Sequence, residues 1–203
     1  MTGNETHENQ QLVEVKRYLN EMALREVQAL SGLIDQYVAP HVAIEHPSVL
    51  IVGQGFRYTE TIAIDDRLTP GHITSADNGF SEIGLHYSLQ NAIAGGVTRD
   101  ANILSLTTHV SSDFQDLDET YDIVFAFSLA LSLQNPECVE QLLGKSRGLS
   151  VITAHKPSED LRGFLLEEYV HIDQLLEQRG VSFITRKESL SLPTKDGHIW
   201  VMK

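Results

Sequence analysis

The sequence predicts an α/β fold built on a doubly wound, mostly parallel sheet, and three observations carry that reading. From Val49 onward, short apolar runs alternate with helical patterns, which is the rhythm of βαβ units. The first run, Ser-Val-Leu-Ile-Val, enters Gly53-Gln54-Gly55. The second, His72 to Ala76, stops at an acid, Asp77. In such a sheet the first strand ends in a glycine turn where backbone N–H groups and a helix N-terminus meet a ligand, and the second strand's terminal acid can accept ribose hydroxyls. The order from Pro47 to Asp77 therefore points to a pocket for a nucleoside-bearing cofactor.

The elements follow in order. Residues Gln10 to Leu30 place Leu12, Val15, Leu19, Met22, Val27 and Leu30 near the helical period, after ten residues expected to be frayed. Gly32 is expected to interrupt that helix, with a shorter piece reaching Val38, and Pro40 and Pro47 bracket a loop. Strands are expected at Val49 to Val52, His72 to Ala76, Asn102 to Thr107, Asp122 to Phe127, Leu149 to Ala154, Val181 to Lys187 and Ile199 to Met202. Gly95-Gly96 ends a helix begun near Phe80. Asn135-Pro136-Glu137 combines an N-cap, a proline at the first helical position and an early acid. Another helix opens at Ser158, carries Leu161, Phe164, Leu165, Ile172, Leu175 and Leu176, and stops at Gly180.

The composition narrows the function classes. The 203 residues are 41% hydrophobic and 21% charged, enough for one domain that buries about 70% of its unfolded surface. No internal repeat or linker is evident. No run of about 18 apolar residues occurs, and Met1 to Gln11 lacks the regions of a secretory signal, so a cytoplasmic protein without a membrane partner is expected. Cys138 is the single cysteine, which excludes an internal disulfide. The nine histidines include no HExxH and no i, i+4 pair, and no metal site is expected. With a net charge of −13 and no Lys/Arg cluster, nucleic acid is a poor partner, since binding it requires cations on the phosphates. A small molecule or a protein suits the charge better, and a homodimer is open.

Each candidate residue has a functional and a plain reading. Gly53 and Gly55 either admit a ligand to the backbone or only permit a tight turn. Asp77, with Asn78, either binds ribose or caps the next helix. Asp113 lies in an acidic stretch with Asp116, Asp118 and Glu119, a pattern that also suits a solvated connection. Ser128 and Ser132 have no His and acid at triad spacing, which argues against a hydrolase. His155, just past the fifth strand, stands at the sheet edge where α/β enzymes place their chemistry, and its ordinary pKa of about 6.5 suits a general base. Tyr169 and His171 read as helix residues that pack or face water.

With these elements in this order, the chain from about Val49 to Lys203 resembles the class I S-adenosylmethionine-dependent methyltransferases. The resemblance is carried by Val-Leu-Ile-Val-Gly53-Gln-Gly55, by Ser75-Ala76-Asp77, by Asp113, and by Tyr121-Asp122-Ile-Val-Phe-Ala-Phe before a helix at Pro136. Gly148-Leu-Ser-Val-Ile-Thr and a terminal pair of strands around a Lys-Asp-Gly197 turn complete it. It implies a seven-stranded sheet in the order 3-2-1-4-5-7-6 with strand 7 antiparallel, and S-adenosylmethionine as cofactor. It also implies that Gly53, Gln54 and Gly55 approach the methionine portion, Asp77 and Asn78 the ribose, and Asp113 the adenine. Phe127 and Ser128 would lie beneath the sulfonium, on the side that admits the acceptor. Ile51 stands where the family usually has an acid, and Arg57 where a third glycine is common. Residues 1–46 would form a helical segment that covers the sheet or closes over the acceptor pocket, and 47–203 the cofactor domain. The expected activity is methyl transfer to an O or N nucleophile of a small molecule. Two alternatives remain: a methyltransferase-like scaffold without catalysis, and a nicotinamide-dependent oxidoreductase, whose GxGxxG fingerprint would need glycine where Tyr58 stands.

Overall fold

The computed structural model describes residues 4–53, 58–77, 82–98, 100–127, 136–155, 172–191 and 196–203. Seven strands form one sheet: β1 (Ser48–Val52), β2 (His72–Ala76), β3 (Thr107–Val110), β4 (Tyr121–Phe127), β5 (Ser146–His155), β6 (Phe183–Ser191) and β7 (Asp196–Met202). Their order is β3-β2-β1-β4-β5-β7-β6. The first five run parallel, whereas β7 enters antiparallel between β5 and β6. The sheet order and the antiparallel last strand agree with the sequence-based expectation.

Alternation along the strands sorts the core into two layers, as side chains on a strand point to opposite faces. Val49 and Ile51 of β1, Ile123 and Phe125 of β4, and Ile199 and Val201 of β7 share one apolar cluster. That face is covered by α1 (Asn4–Tyr37) through Val27, Leu30 and Ile34, by α2 (Thr59–Leu68) through Ile62 and Ala63, and by α3 (Glu82–Ala94) through Leu89. Leu50, Val52, Val124, Ala126, Trp200 and Met202 point the other way. They meet Val139 and Leu142 of α5 (Pro136–Gly144; α4 is Ile103–Leu106) and Ile172, Leu175 and Leu176 of a helical segment over 172–178. Trp200 is buried, and its indole N–H donates to Asp173 Oδ1 at 2.6 Å, which satisfies a donor that burial would otherwise strand.

Several boundaries differ from the expected ones. Residues 103–106 are the helix α4, and the third strand begins at Thr107, where the expected strand Asn102 to Thr107 ended. The apolar run Ile103-Leu-Ser-Leu is a turn of helix whose side chains close on its own backbone: Ser105 Oγ donates to Asn102 O and Thr107 Oγ1 to Ile103 O. Gly32 does not interrupt α1, because buried residues on both sides of it, Leu30, Leu33 and Ile34, keep the helix on the core. Residues 4–10, expected to be frayed, belong to α1, which begins at Asn4, and residues 1–3 lie outside the described residues. Val15 and Leu19 of the stripe are exposed, together with Val13 and Tyr18. β5 starts earlier than expected, and β6 runs from Phe183 to Ser191. Asp196 and Gly197 belong to β7, paired with Ser191 and Leu190, and are not the hairpin turn. The opening of the helix at Ser158 lies outside the described residues, and its end before Gly180 is as expected.

The amino ends of the three central strands are locked by one carboxylate. Asp122 Oδ2 accepts from Ser48 N at 2.9 Å and Ser48 Oγ at 2.7 Å, and Arg147 Nη2 reaches Asp122 Oδ1 at 3.0 Å. These residues come from β4, β1 and β5. Gly148 lets β5 approach, because a Cβ there would stand 2.7 Å from Asp122 O. Hydrogen bonds from Ser48, then the Arg147 charge, hold the Asp122 carboxyl below its usual pKa. A folded pKa below the unfolded one contributes stability that is present above pH 3.8 and lost as pH falls through the folded value. Asp122→Ala should lower stability by about 1.5–3 kcal/mol at pH 7, by denaturant unfolding, with the gap to wild type narrowing below pH 3.8.

Asp65 of α2 behaves oppositely. It is 8% exposed, and burial, with Asp100 and Asp66 adding like charge, pushes its carboxyl up to about 6. Arg67, the nearby cation, pairs instead with Asp35 and Asp66. A raised carboxyl pKa means that ionising Asp65 opposes folding as pH climbs from 3.8 to about 6. Asp65→Asn should therefore raise the melting temperature at pH 8, and the gain should vanish near pH 3.8.

Candidate functional site

Register brings three strand ends together. β1 pairs Val52 with Ala76 of β2 and with Ala126 of β4, so the next residues, Gly53, Asp77 and Phe127, stand side by side at the carboxyl edge of the sheet. Gly53 has φ +72, the left-handed region that glycine enters without a Cβ penalty, and there β1 turns away from the sheet. Its N–H donates to Ala76 O at 3.2 Å, and the Asp77 N–H donates to Val110 O at 3.1 Å. Two backbone bonds thus tie the ends of β1, β2 and β3 into one rim. The Asp77 residue is partly exposed on that rim.

The other sequence-derived candidates fall at different places. His155 is the last residue of β5 and pairs with Gly197 of β7. Because Phe127 pairs with Thr153, His155 sits two residues beyond the Phe127 level on the same edge. Asp113 follows β3 by three residues, and its Oδ1 accepts from Gln115 N at 3.2 Å, capping the short turn Phe114–Asp116. Its capping role is thus visible in the geometry. Gln54, Gly55, Asn78 and Ser128, and with them Arg57, lie outside the described residues. Ile51 is fully buried between Ser75 and Phe125, within the core layer that faces α1 and α2.

Beside the rim lies a pair that sequence reasoning did not single out. Tyr58, at the N-terminus of α2, is fully buried and has a left-handed backbone, φ 60 and ψ 18. Its hydroxyl is 3.3 Å from Nδ1 of His109 on β3, and the rings meet edge to face with centroids 5.1 Å apart. His86 of α3 places its own ring 6.3 Å from that of His109. Burial, then the Asp77 charge, pushes the Tyr58 phenol far up. Burial, then His86, lowers His109 to about 4. Nε2 of His109 is buried and has no hydrogen-bond partner among the described residues. A phenol and an imidazole 51 residues apart obey no motif spacing. The only local signal was an aromatic residue just past a glycine turn.

His109 is thus neutral in the folded protein at pH 7. Its folded pKa lies below 6.5, so its protonation opposes folding, and stability falls as pH drops from 6.5 towards 4. By NMR, the ring C–H signals of His109 should stay constant between pH 8 and 5, and a midpoint near 6.5 would contradict the buried geometry.

No protein-family model and no curated protein sequence matches the chain. Solved structures do. The magnesium protoporphyrin IX methyltransferase of Synechocystis PCC 6803, with bound S-adenosylhomocysteine, superposes with a TM-score of 0.62 at 14% identity, over 88% of this chain and 83% of its own. The chain has a class I methyltransferase fold. The plantazolicin methyltransferase BpumL, in complex with S-adenosylhomocysteine, matches 97% of this chain and 98% of its own at 15% identity and a TM-score of 0.58. A SAM-dependent methyltransferase of Aquifex aeolicus covers 87% and 97%, at 15% identity and a TM-score of 0.56. In this methyltransferase fold, Gly53 and Asp77 occupy adjacent strand ends at the carboxyl edge of the sheet, the side on which open α/β sheets bind ligands.

Proposed function

We propose that the protein is an S-adenosylmethionine-dependent methyltransferase acting on an O or N nucleophile of a small molecule. The observation that carries the reading is the pairing of a left-handed glycine turn with a partly exposed carboxylate on adjacent strand ends, in a sheet whose last strand is inserted antiparallel. Residues 47–203 form the cofactor domain in this reading, and residues 1–46 the helical segment that covers it. The donor set suits the cofactor: a glycine at the end of β1 for the methionine portion, and an acid for two ribose hydroxyls. Gly53, Gln54 and Gly55 would hold the methionine portion, Asp77 and Asn78 the ribose, Asp113 the adenine, and Phe127 and Ser128 the neighbourhood of the sulfonium. When bound, S-adenosylmethionine supplies an already activated methyl group. The protein's task is then to align the acceptor and exclude competing nucleophiles, which explains why no strong catalytic motif is needed. His155, at the end of β5, is the candidate to take a proton from the acceptor hydroxyl or amine.

One observation favours a second reading, a binding protein without catalysis. Ile51 buries an apolar side chain where the family usually keeps an acid. An oxidoreductase is disfavoured by the antiparallel β7 and by Tyr58 at the position of the fingerprint's third glycine.

Calorimetric titration with S-adenosylhomocysteine, with NAD in parallel, separates these readings. Micromolar heat for the former alone is the expected result, silence for both points to the scaffold, and heat for NAD alone points to the oxidoreductase. Asp77→Ala should weaken the binding by about 1.5–3 kcal/mol, roughly ten- to a hundredfold. Unchanged affinity in a folded variant would remove Asp77 from the ribose.

A further inference from the structure

Gly53 and Tyr58 are each anchored to the sheet. Gly53 N–H bonds Ala76 O on β2. Tyr58 lies against His109 on β3. The two anchors are themselves joined, because Val110, next after His109, accepts from the N–H of Asp77. These contacts, with the chain that joins Gly53 to Tyr58, make a closed circuit across His109 and Val110 and back through Asp77 and Ala76.

We propose that Tyr58 and His109 are a positioning pair that pins the N-terminal end of α2 to β3 and thereby holds Gly53 and Asp77 in register for the cofactor's nucleoside. The inference rests on the methyltransferase reading, since it takes that nucleoside as the ligand served. Its physical basis is threefold. A tyrosine seldom adopts a left-handed backbone, and such strain persists only where the surroundings hold the side chain. A phenol with no exposed surface must find a polar partner, and His109 Nδ1 is within reach. The imidazole needs the phenol equally, because its Nε2 has no partner among the described residues.

Topology directs the effect towards the site. β3 is the edge of the sheet and pairs with β2 alone, so whatever fixes His109 is transmitted to the strand that ends in Asp77. His109 stands opposite Ser75, two residues before that acid. The upward push of the Asp77 charge on the Tyr58 phenol agrees with their proximity.

The test uses the full chain and S-adenosylhomocysteine as the probe, with Tyr58→Phe, His109→Leu, their combination, and His109→Gln. Phenylalanine keeps the ring packing and removes only the hydroxyl. Each of the first two substitutions should weaken the calorimetric affinity about tenfold, the scale of one hydrogen bond. The combination should be no weaker than either alone, because both remove the same contact. His109→Gln, which keeps an acceptor, should restore most of the loss. Singly neutral substitutions, or losses that multiply, would overturn the pair.

A second readout needs no ligand. In Tyr58→Phe, amide hydrogen exchange at Gly53 and Asp77 should quicken about tenfold relative to amides of β4, as the circuit loses one link. Equal rates would overturn the proposal whether or not the wild type binds the probe. A wild type that ignores S-adenosylhomocysteine, yet shows the exchange effect, would sink the methyltransferase reading and leave the pair standing.

Discussion

Because β1 is buried on both faces, its peptide groups can be satisfied only by the strands beside it, β2 and β4. That requirement sets the register. A slip of one residue would turn Val49 and Ile51 towards the opposite layer and interrupt both clusters at once. The carboxyl ends of three strands are consequently level, and the rim that bears Gly53 and Asp77 is an outcome of packing in the middle of the sheet.

The two ends of the sheet are stabilised by different electrostatic means. At the amino end, Asp122 gathers two Ser48 donors and the Arg147 guanidinium, so a charge is kept ionised by partners that are themselves partly wet. At the carboxyl end, Tyr58 and His109 remain neutral, and burial disfavours charge on either. An ionic clamp thus holds the amino end of the sheet and a neutral one the carboxyl end, where Asp77 stands on the rim.

Much of the fold was legible because burial leaves a pattern. Val49 to Val52 and His72 to Ala76, closed by a glycine and an acid, and the apolar run to Phe127 that opens at Asp122 were readable as strands, and each lies within one. The third strand was missed for the converse reason: on a sheet edge, Thr107-Thr-His-Val can be polar, while the apolar Ile103-Leu-Ser-Leu before it packs as one turn of helix. Gly32 misled because helix propensity is local and weak, whereas Leu30, Leu33 and Ile34 bury a continuous stripe across it. In the site, Gly53 and Asp77 were readable from their places at strand ends. Tyr58 and His109 were not, since their contact depends on how α2 settles on β3, which no spacing in the chain encodes.

The insertion of β7 between β5 and β6 has a consequence for biosynthesis. Until residues Asp196–Met202 have left the ribosome, β5 presents an unpaired edge beside an apolar surface, and β6 has no strand to join. The nascent chain must therefore carry most of the sheet in an unfinished, adhesive state, and completion comes in one late step that adds Trp200 and Val201 to both layers. A chain cut short before Asp196 would leave that edge open for good, so residues Asp196–Met202 govern solubility out of proportion to their number.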